Sequence, residues 1–254
     1  IQCCLVGSEM CIRDRINPHV RVWPSKKVES GATLNINLIW GTTAQRNLFG
    51  QRGVQGLANI DITPDFAVKL GAAYGSTLKS GSTVSVSRDQ RNVSRMVSRS
   101  LIAGLMSVGI NVINLQSTAI PIARTILPTL NLVGGVHARL SPDYSDQILI
   151  EIFDSQGINI SKAKEKKIEG VYFKEDLRRV QISEIGNVVD RHEVLDAYSK
   201  GFENLLNSEA IRYSKSKVVI DYCYGVSGAI LPQLLTKFGC DAVVLNASLK
   251  ETSL

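Results

Sequence analysis

The chain has 254 residues, of which 44% are hydrophobic, 20% charged and 6% aromatic, a composition of folded globular chains rather than disordered or collagen-like ones. Basic residues exceed acidic ones, 29 to 23, leaving a net charge of +6, which suits phosphate-bearing partners without selecting small molecules over polyanions. No run reaches the roughly eighteen apolar residues of a membrane span and no secretory leader pattern opens the chain, so no membrane association and a cytoplasmic location are expected.

Three of the five cysteines, Cys3, Cys4 and Cys11, crowd the first eleven residues. With His19 they could be imagined around zinc, but no C-x-x-C pair faces a second pair, so no metal site is expected. The stretch from Cys4 to Arg15 resembles translated sequencing-adapter read-through, and residues 1–15 are set aside from the fold as an artefact. Both ends read as truncated, which makes the chain an expected internal fragment.

From Ile16 an apolar residue recurs every sixth position, at Ile16, Val22, Val28, Leu34 and Trp40. That is the rhythm of a hexapeptide β-helix, predicted as a short left-handed remnant over 16–43, with a plain hairpin as the alternative. After Trp40 the period changes. Thr63 before Pro64 signals a capped helix start, and Ala67, Leu70, Gly71, Tyr74 and Leu78 predict a helix over 64–79. The spacing then predicts a strand at 83–87, a helix over 94–108 ended by Gly109 and a strand at 110–115. A helix over 119–130 interrupted by Pro128 and a strand at 135–140 follow. Residues 147–153 alternate, and the turn at 154–157 before Ile158 predicts a hairpin that makes the sheet mixed.

Ser161 caps a basic run through Lys162, Lys164, Lys166, Lys167 and Glu169, read as a solvated helix face. A long amphipathic helix over 192–207 leads to a second unit: strand 218–221, turn 225–228, helix 229–238 and strand 242–245. Apolar surface on this second unit is expected to lie uncovered.

Three segments could carry chemistry. Phe49 to Gly56 is glycine-rich and holds Arg52, but it fits neither a dinucleotide fingerprint nor a nucleotide P-loop. Arg88 and Arg91 follow a strand and precede a helix, where α/β folds place ligands. His137 and Arg139 leave the end of another strand, two apart and so on one side of it. No G-x-S-x-G elbow is present for serine hydrolysis, and no aromatic-basic platform for nucleic acid, so no nucleic-acid partner is expected.

In order and spacing these segments resemble the α-D-phosphohexomutases, the phosphomannomutase and phosphoglucomutase family, over roughly residues 45–250. Phe49 to Gly56 resembles the opening F-G-T-D-G-I-R-G, Asp61 to Gly75 the segment L-T-P-E with A-x-K-L-G, and Ser87 to Arg91 the motif G-R-D-T-R. The resemblance implies a three-layer α/β/α mixed-sheet domain I at 44–190. It implies a linker helix and partial second α/β domain at 191–254. The hexapeptide stretch ending at Trp40 resembles the spacer of bacterial fusions that begin with a mannose-1-phosphate guanylyltransferase domain.

In active members, the resemblance implies, a serine in T-A-S-H-N-P carries the phosphoryl group. Here the matching residues run from His137 to Pro142, and Arg139 occupies the serine's slot. A guanidinium stays protonated and cannot act as that nucleophile, though it can clamp phosphate. The general acid/base lysine falls at Ile148 or Leu149, and the opening motif's arginine becomes Gln55. Magnesium serves active members through a loop D-G-D-x-D-R expected beyond Leu254, so no cofactor is expected in this chain. No catalytic residue is therefore assigned. Arg139, His137, Arg88 and Arg52 are the candidate phosphate-binding residues. The expected partners are a hexose phosphate, an N-terminal nucleotidyltransferase domain and C-terminal mutase domains.

Overall fold

The computed structural model describes residues 15–16, 20–21, 27–28, 33–34, 43–44, 47–191, 194–214, 216–223, 225–229 and 231–247. Helix α1 (Pro64–Ser76) begins where Thr63 Oγ1 accepts the Phe66 amide at 3.2 Å and Pro64 fills the first helical position. It stops three residues short of the predicted 79. There the Thr77 and Leu78 amides turn back to the Tyr74 and Gly75 carbonyls, tightening the last turn. Helix α2 (Asn92–Ser107) ends as the glycine signal predicts. Gly109 takes a positive φ of 77°, its amide bonds Met106 O and the Ile110 amide bonds Leu105 O, which together close a Schellman motif. These two helices lie against each other where Gly71 faces the Leu101 carbonyl and Gly104 faces that of Val68, leaving no room for a Cβ on either side.

Six strands form one sheet: β1 (Val54–Leu57), β2 (Thr83–Arg88), β3 (Asn111–Ser117), β4 (Gly134–Leu140), β5 (Gln147–Asp154) and β6 (Val188–Asp190). Their order is β6-β3-β2-β4-β5-β1. The first four are parallel, β5 runs antiparallel to β4, and β1 antiparallel to β5. Val84, Val86, Val136, Ala138, Ile150 and their neighbours meet α1 and α2 in the main core. Helix α3 (Ile120–Thr129) covers the opposite face, where its Leu127 meets Gly135. The sheet is thus packed on both sides by helices.

Four details differ from the sequence reading. Val54–Leu57 is a strand with alternating burial, where a glycine-rich loop is the sequence expectation. Its entry requires Gly53 at a φ of 149°, with the backbone pressed against the Ile150 carbonyl. The antiparallel hairpin is β4 with β5, since the six residues between them are too few for a parallel crossover. The segment after the 154–157 turn contributes only a single bridge from Asn159 to Phe153. Strand β6 has no sequence signature, because all three residues are exposed; pairing of Val188, Val189 and Asp190 with Val112, Ile113 and Asn114 recruits it. Pro128 lies within the last turn of α3 and does not interrupt the helix.

Helix α4 (Lys162–Lys174) is capped by Ser161 as expected, yet it is not only a solvated face. Ile168 is buried, and Glu169 accepts the amides of Leu48 and Phe49, anchoring the segment that enters β1. Beyond the sheet come α5 (Val194–Leu205), α6 (Ser208–Ser214), β7 (Lys217–Asp221), α7 (Leu231–Lys237) and β8 (Asp241–Leu245). β7 and β8 pair in parallel, the predicted strand-helix-strand unit. Leu234 of α7 and Phe238 just after it join Val194, Ile122 and Ile126 in a second apolar cluster, whereas Val219, Val243 and Leu245 stay exposed.

Near the N-terminus two short parallel pairs are described: Arg15 with Thr33 and Ile16 with Leu34, and Lys27 with Thr43 and Val28 with Ala44. The adapter-like stretch up to Asp14, the Cys3, Cys4, Cys11 and His19 group, Val22, Trp40 and His192 lie outside the described residues.

Candidate functional site

Strand β2 sits between β3 and β4, so the chain leaves it toward one side and returns through α3 to the other. Ligands of open α/β sheets bind outside the strand C-termini at such a switch point. Arg88 ends β2 there with Asp89 just after it, and Arg139 lies in the last two residues of β4 with Ser141 just after the strand.

Asp89 holds this edge together. Its Oδ2 accepts the Leu140 amide at 2.8 Å and its Oδ1 the Arg91 amide at 2.9 Å, while its own amide donates to Ala138 O at 3.1 Å. The sequence reading singles out the flanking arginines and overlooks this carboxylate, although an Asp directly after a strand and two residues before a helix is a turn-forming signal.

Arg139 does not stand free to clamp a ligand. Its Nε donates to Glu151 Oε2 at 2.8 Å, and the other Glu151 oxygen lies 3.6 Å from Arg124. The Glu151 side chain is only 5% exposed and that of Arg139 22%. His137 lies on the same face of β4 as Arg139, as the two-residue spacing requires, but it is buried at 2% exposure. Its Nδ1 pairs with the buried Ser87 hydroxyl at 2.8 Å. Burial, reinforced by the Arg139 and Arg124 charges, pushes the imidazole down to about 3, so it is neutral at pH 7. It is a core group whose Nδ1 is taken by Ser87.

Arg52 is half-exposed and engaged with Asp143 at 2.8 Å. Gln55 spends its amide on Ser141 Oγ at 3.1 Å and Gln147 Oε1 at 2.7 Å. Ile148 and Leu149, the two positions at which a lysine is sought, are fully buried in β5. Arg88 is different. Its guanidinium donates to the Asp89 carbonyl, and partial burial lowers its proton affinity, followed by the nearby Arg95 charge and, more weakly, Arg99, with Asp89 opposing. Of the three candidate arginines, Arg88 alone makes no ion pair among the described residues, and it lies close to the Arg95 and Arg99 charges.

A groove of about 300 Å³ between α3 and α5 is lined by Ile122, Ile126, Val194, Tyr198 and Phe202; its apolar walls do not suit a phosphate. Among the described residues no three His, Cys, Asp or Glu side chains converge as a metal-holding group. No described helix is long and apolar enough to cross a membrane.

Comparison with known proteins places these features in context. Residues 46–179 match the family model for phosphoglucomutase/phosphomannomutase, alpha/beta/alpha domain I. A phosphoglucomutase/phosphomannomutase of Thermococcus kodakarensis is 33% identical over 204 residues, covering 79% of this chain and 44% of that protein. A phosphoglucosamine mutase of Natranaerobius thermophilus is 33% identical over 202 residues, covering 79% and 45%. This chain therefore spans less than half the length of these curated relatives. Among solved structures, a phosphoglucomutase/phosphomannomutase family protein of Burkholderia thailandensis superposes with a TM-score of 0.64 at 19% identity, over 80% of this chain and 44% of the other. That likeness is one of fold.

Proposed function

The chain belongs to the phosphoglucomutase/phosphomannomutase family through its α/β/α domain I, and from that premise we propose that it is a catalytically silent member of the family's sugar-phosphate chemistry, retained as a binding or assembly module. One observation carries the reading: at the position where the resemblance expects a phosphoryl-carrying serine, Arg139 is locked to the buried Glu151. A guanidinium has no available lone pair at neutral pH and forms no phosphoryl intermediate. Loss of a nucleophile from a catalytic unit costs about six orders of magnitude in rate, so this single replacement is sufficient. Ser141 does not substitute, because two residues along an extended segment shift a hydroxyl by roughly 6–7 Å. Its oxygen is also engaged by Gln55 and the Asp143 amide.

The ligand class proposed for the module is a hexose phosphate. A coupled assay for interconversion of hexose 1- and 6-phosphates by the full-length protein, with mass spectrometry for a phosphorylated side chain, tests the reading. No turnover and no phosphoenzyme are expected; a covalently phosphorylated, turnover-competent protein overturns it in favour of an active mutase.

A second reading concerns the residues before the sheet, where a hexapeptide coil over 16–43 would connect this domain I, at 44–190, to a guanylyltransferase domain. It is supported by the parallel pairing of Ile16 with Leu34, eighteen positions on, the length of three six-residue sides. An upstream G-x-G-T-R-L motif in the uninterrupted reading frame is the expected finding, and its absence removes the fusion.

A further inference from the structure

The first turn of α2 is rich in donors and lacks acceptors. The first amides of a helix have no intrahelical partner, and here the N-cap residue, Arg91, supplies no side-chain acceptor and no acidic residue occupies the first turn. The nearest carboxylate, Asp89, has one oxygen on the Leu140 amide and the other on the Arg91 amide. Around this end stand Arg88, Arg91 and Arg95, with Arg99 a turn further along α2, none of them in an ion pair among the described residues. Arg95 and Arg99 are exposed and sit four apart, hence on one face of the helix.

A second, independent feature lies at the same place. Ser94, the third residue of α2, is 0% exposed, and its Oγ has no hydrogen-bond partner. Buried hydroxyls are nearly always paired, and an orphan costs free energy. Helical Cα–Cβ bonds tilt toward the N-terminus, so this hydroxyl is carried toward the free amides. Ser117, which is in register with Arg88 across β2 and β3, has a second buried Oγ without a partner. An orphan hydroxyl, uncapped amides and three cations therefore gather at one helix end by the sheet's switch point, with the second orphan hydroxyl on the strand beside Arg88.

We propose that this end of α2 is a phosphate-binding site, in which the Val93 and Ser94 amides and the Ser94 hydroxyl donate to a phosphate oxygen while Arg88 and Arg95 neutralise the dianion. Positive dipole ends and free amides favour such an anion, and guanidinium donors strengthen the bonds. The identity of the ester rests on the hexose-phosphate reading above; the anion site itself does not.

The test is titration of the full 254-residue chain with inorganic phosphate, followed by the backbone amide NMR signals of Asn92, Val93 and Ser94. These amides are expected to shift, and Arg88→Gln or the exposed Arg95→Gln to weaken binding about tenfold. Ser94→Ala is expected to weaken it less, since the amides remain. Unmoved amides at saturating phosphate, or equal binding in both arginine variants, overturn the site. Mannose 6-phosphate separates the two claims. Displacement of phosphate from these amides supports both. An ester bound elsewhere while inorganic phosphate leaves these amides unmoved overturns the site and keeps the hexose-phosphate reading, whereas phosphate binding here with no ester binding anywhere keeps the site and overturns that reading.

Discussion

Arg139 and Glu151 form a bond of 2.8 Å between adjacent antiparallel strands, with the carboxylate almost wholly removed from water. Arg124 on α3 lies 3.6 Å from the second carboxylate oxygen.

Truncating one partner of a buried pair leaves the other charge uncompensated. Arg139→Ala is expected to destabilise the chain by about 2 kcal/mol, less than for a fully buried pair because Arg139 retains some solvent access and Arg124 remains close. Arg139→Met with Glu151→Met is expected to recover most of that loss. Urea denaturation of Arg139→Ala, of each single Met variant and of the double variant checks this, and an additive double variant contradicts the pairing. Arg139→Ser restores a hydroxyl but is expected to show no phosphoenzyme by intact mass.

His137 gives a pH signature. Its folded-state affinity for protons is depressed to about 3, against roughly 6.5 when unfolded. The unfolded chain therefore binds more protons between those values, so this contribution is complete above about pH 6.5 and is lost as pH falls toward 3, at up to about 1.4 kcal/mol per unit. His137→Asn is expected to flatten that slope in denaturation curves taken from pH 7 to 4. An unchanged slope would mean that the imidazole is not held neutral.

Arg178 ties two helix ends together. Its guanidinium donates to Gly75 O, Leu78 O and Val108 O, capping the C-termini of α1 and α2 at once. Arg178→Ala is expected to cost about 2–3 kcal/mol, and Arg178→Lys nearly as much, because one ammonium cannot span three carbonyls. Thermal denaturation distinguishes this from an ordinary surface arginine, whose removal moves stability by about 0.5 kcal/mol or less.

Two glycine-to-alanine changes on helices should move in opposite directions. At Gly104 a Cβ would collide with the Val68 carbonyl and come within 2.9 Å of the Ala72 amide, so a loss of about 3 kcal/mol is expected. At Gly170 a Cβ meets nothing within 4 Å, and a gain of about 0.5–1 kcal/mol is expected from helix propensity. Equal effects at both positions would refute the close α1–α2 approach.

Local signals in the sequence were sufficient for every labelled helix but α6 and for six of the eight labelled strands. Thr63 with Pro64, Gly109 and Ser161 act through bonds to their own chain neighbours, so their effect is written in adjacent residues. The replacement at Arg139 is likewise legible from residue type alone. β1 and β6 were not legible, because a two-sided edge and a fully exposed strand are fixed by their partners, Ile150 and Val112, rather than by their own periodicity. The fate of each candidate cation was also decided only in three dimensions. Glu151 lies twelve residues from Arg139 and Asp143 ninety-one from Arg52, and only the folding of β5 and the loop before it brings those carboxylates into place. Charge in a sequence states what a side chain can do; the distant acceptors that chain folding delivers, or withholds as at Arg88, settle what it is left free to do.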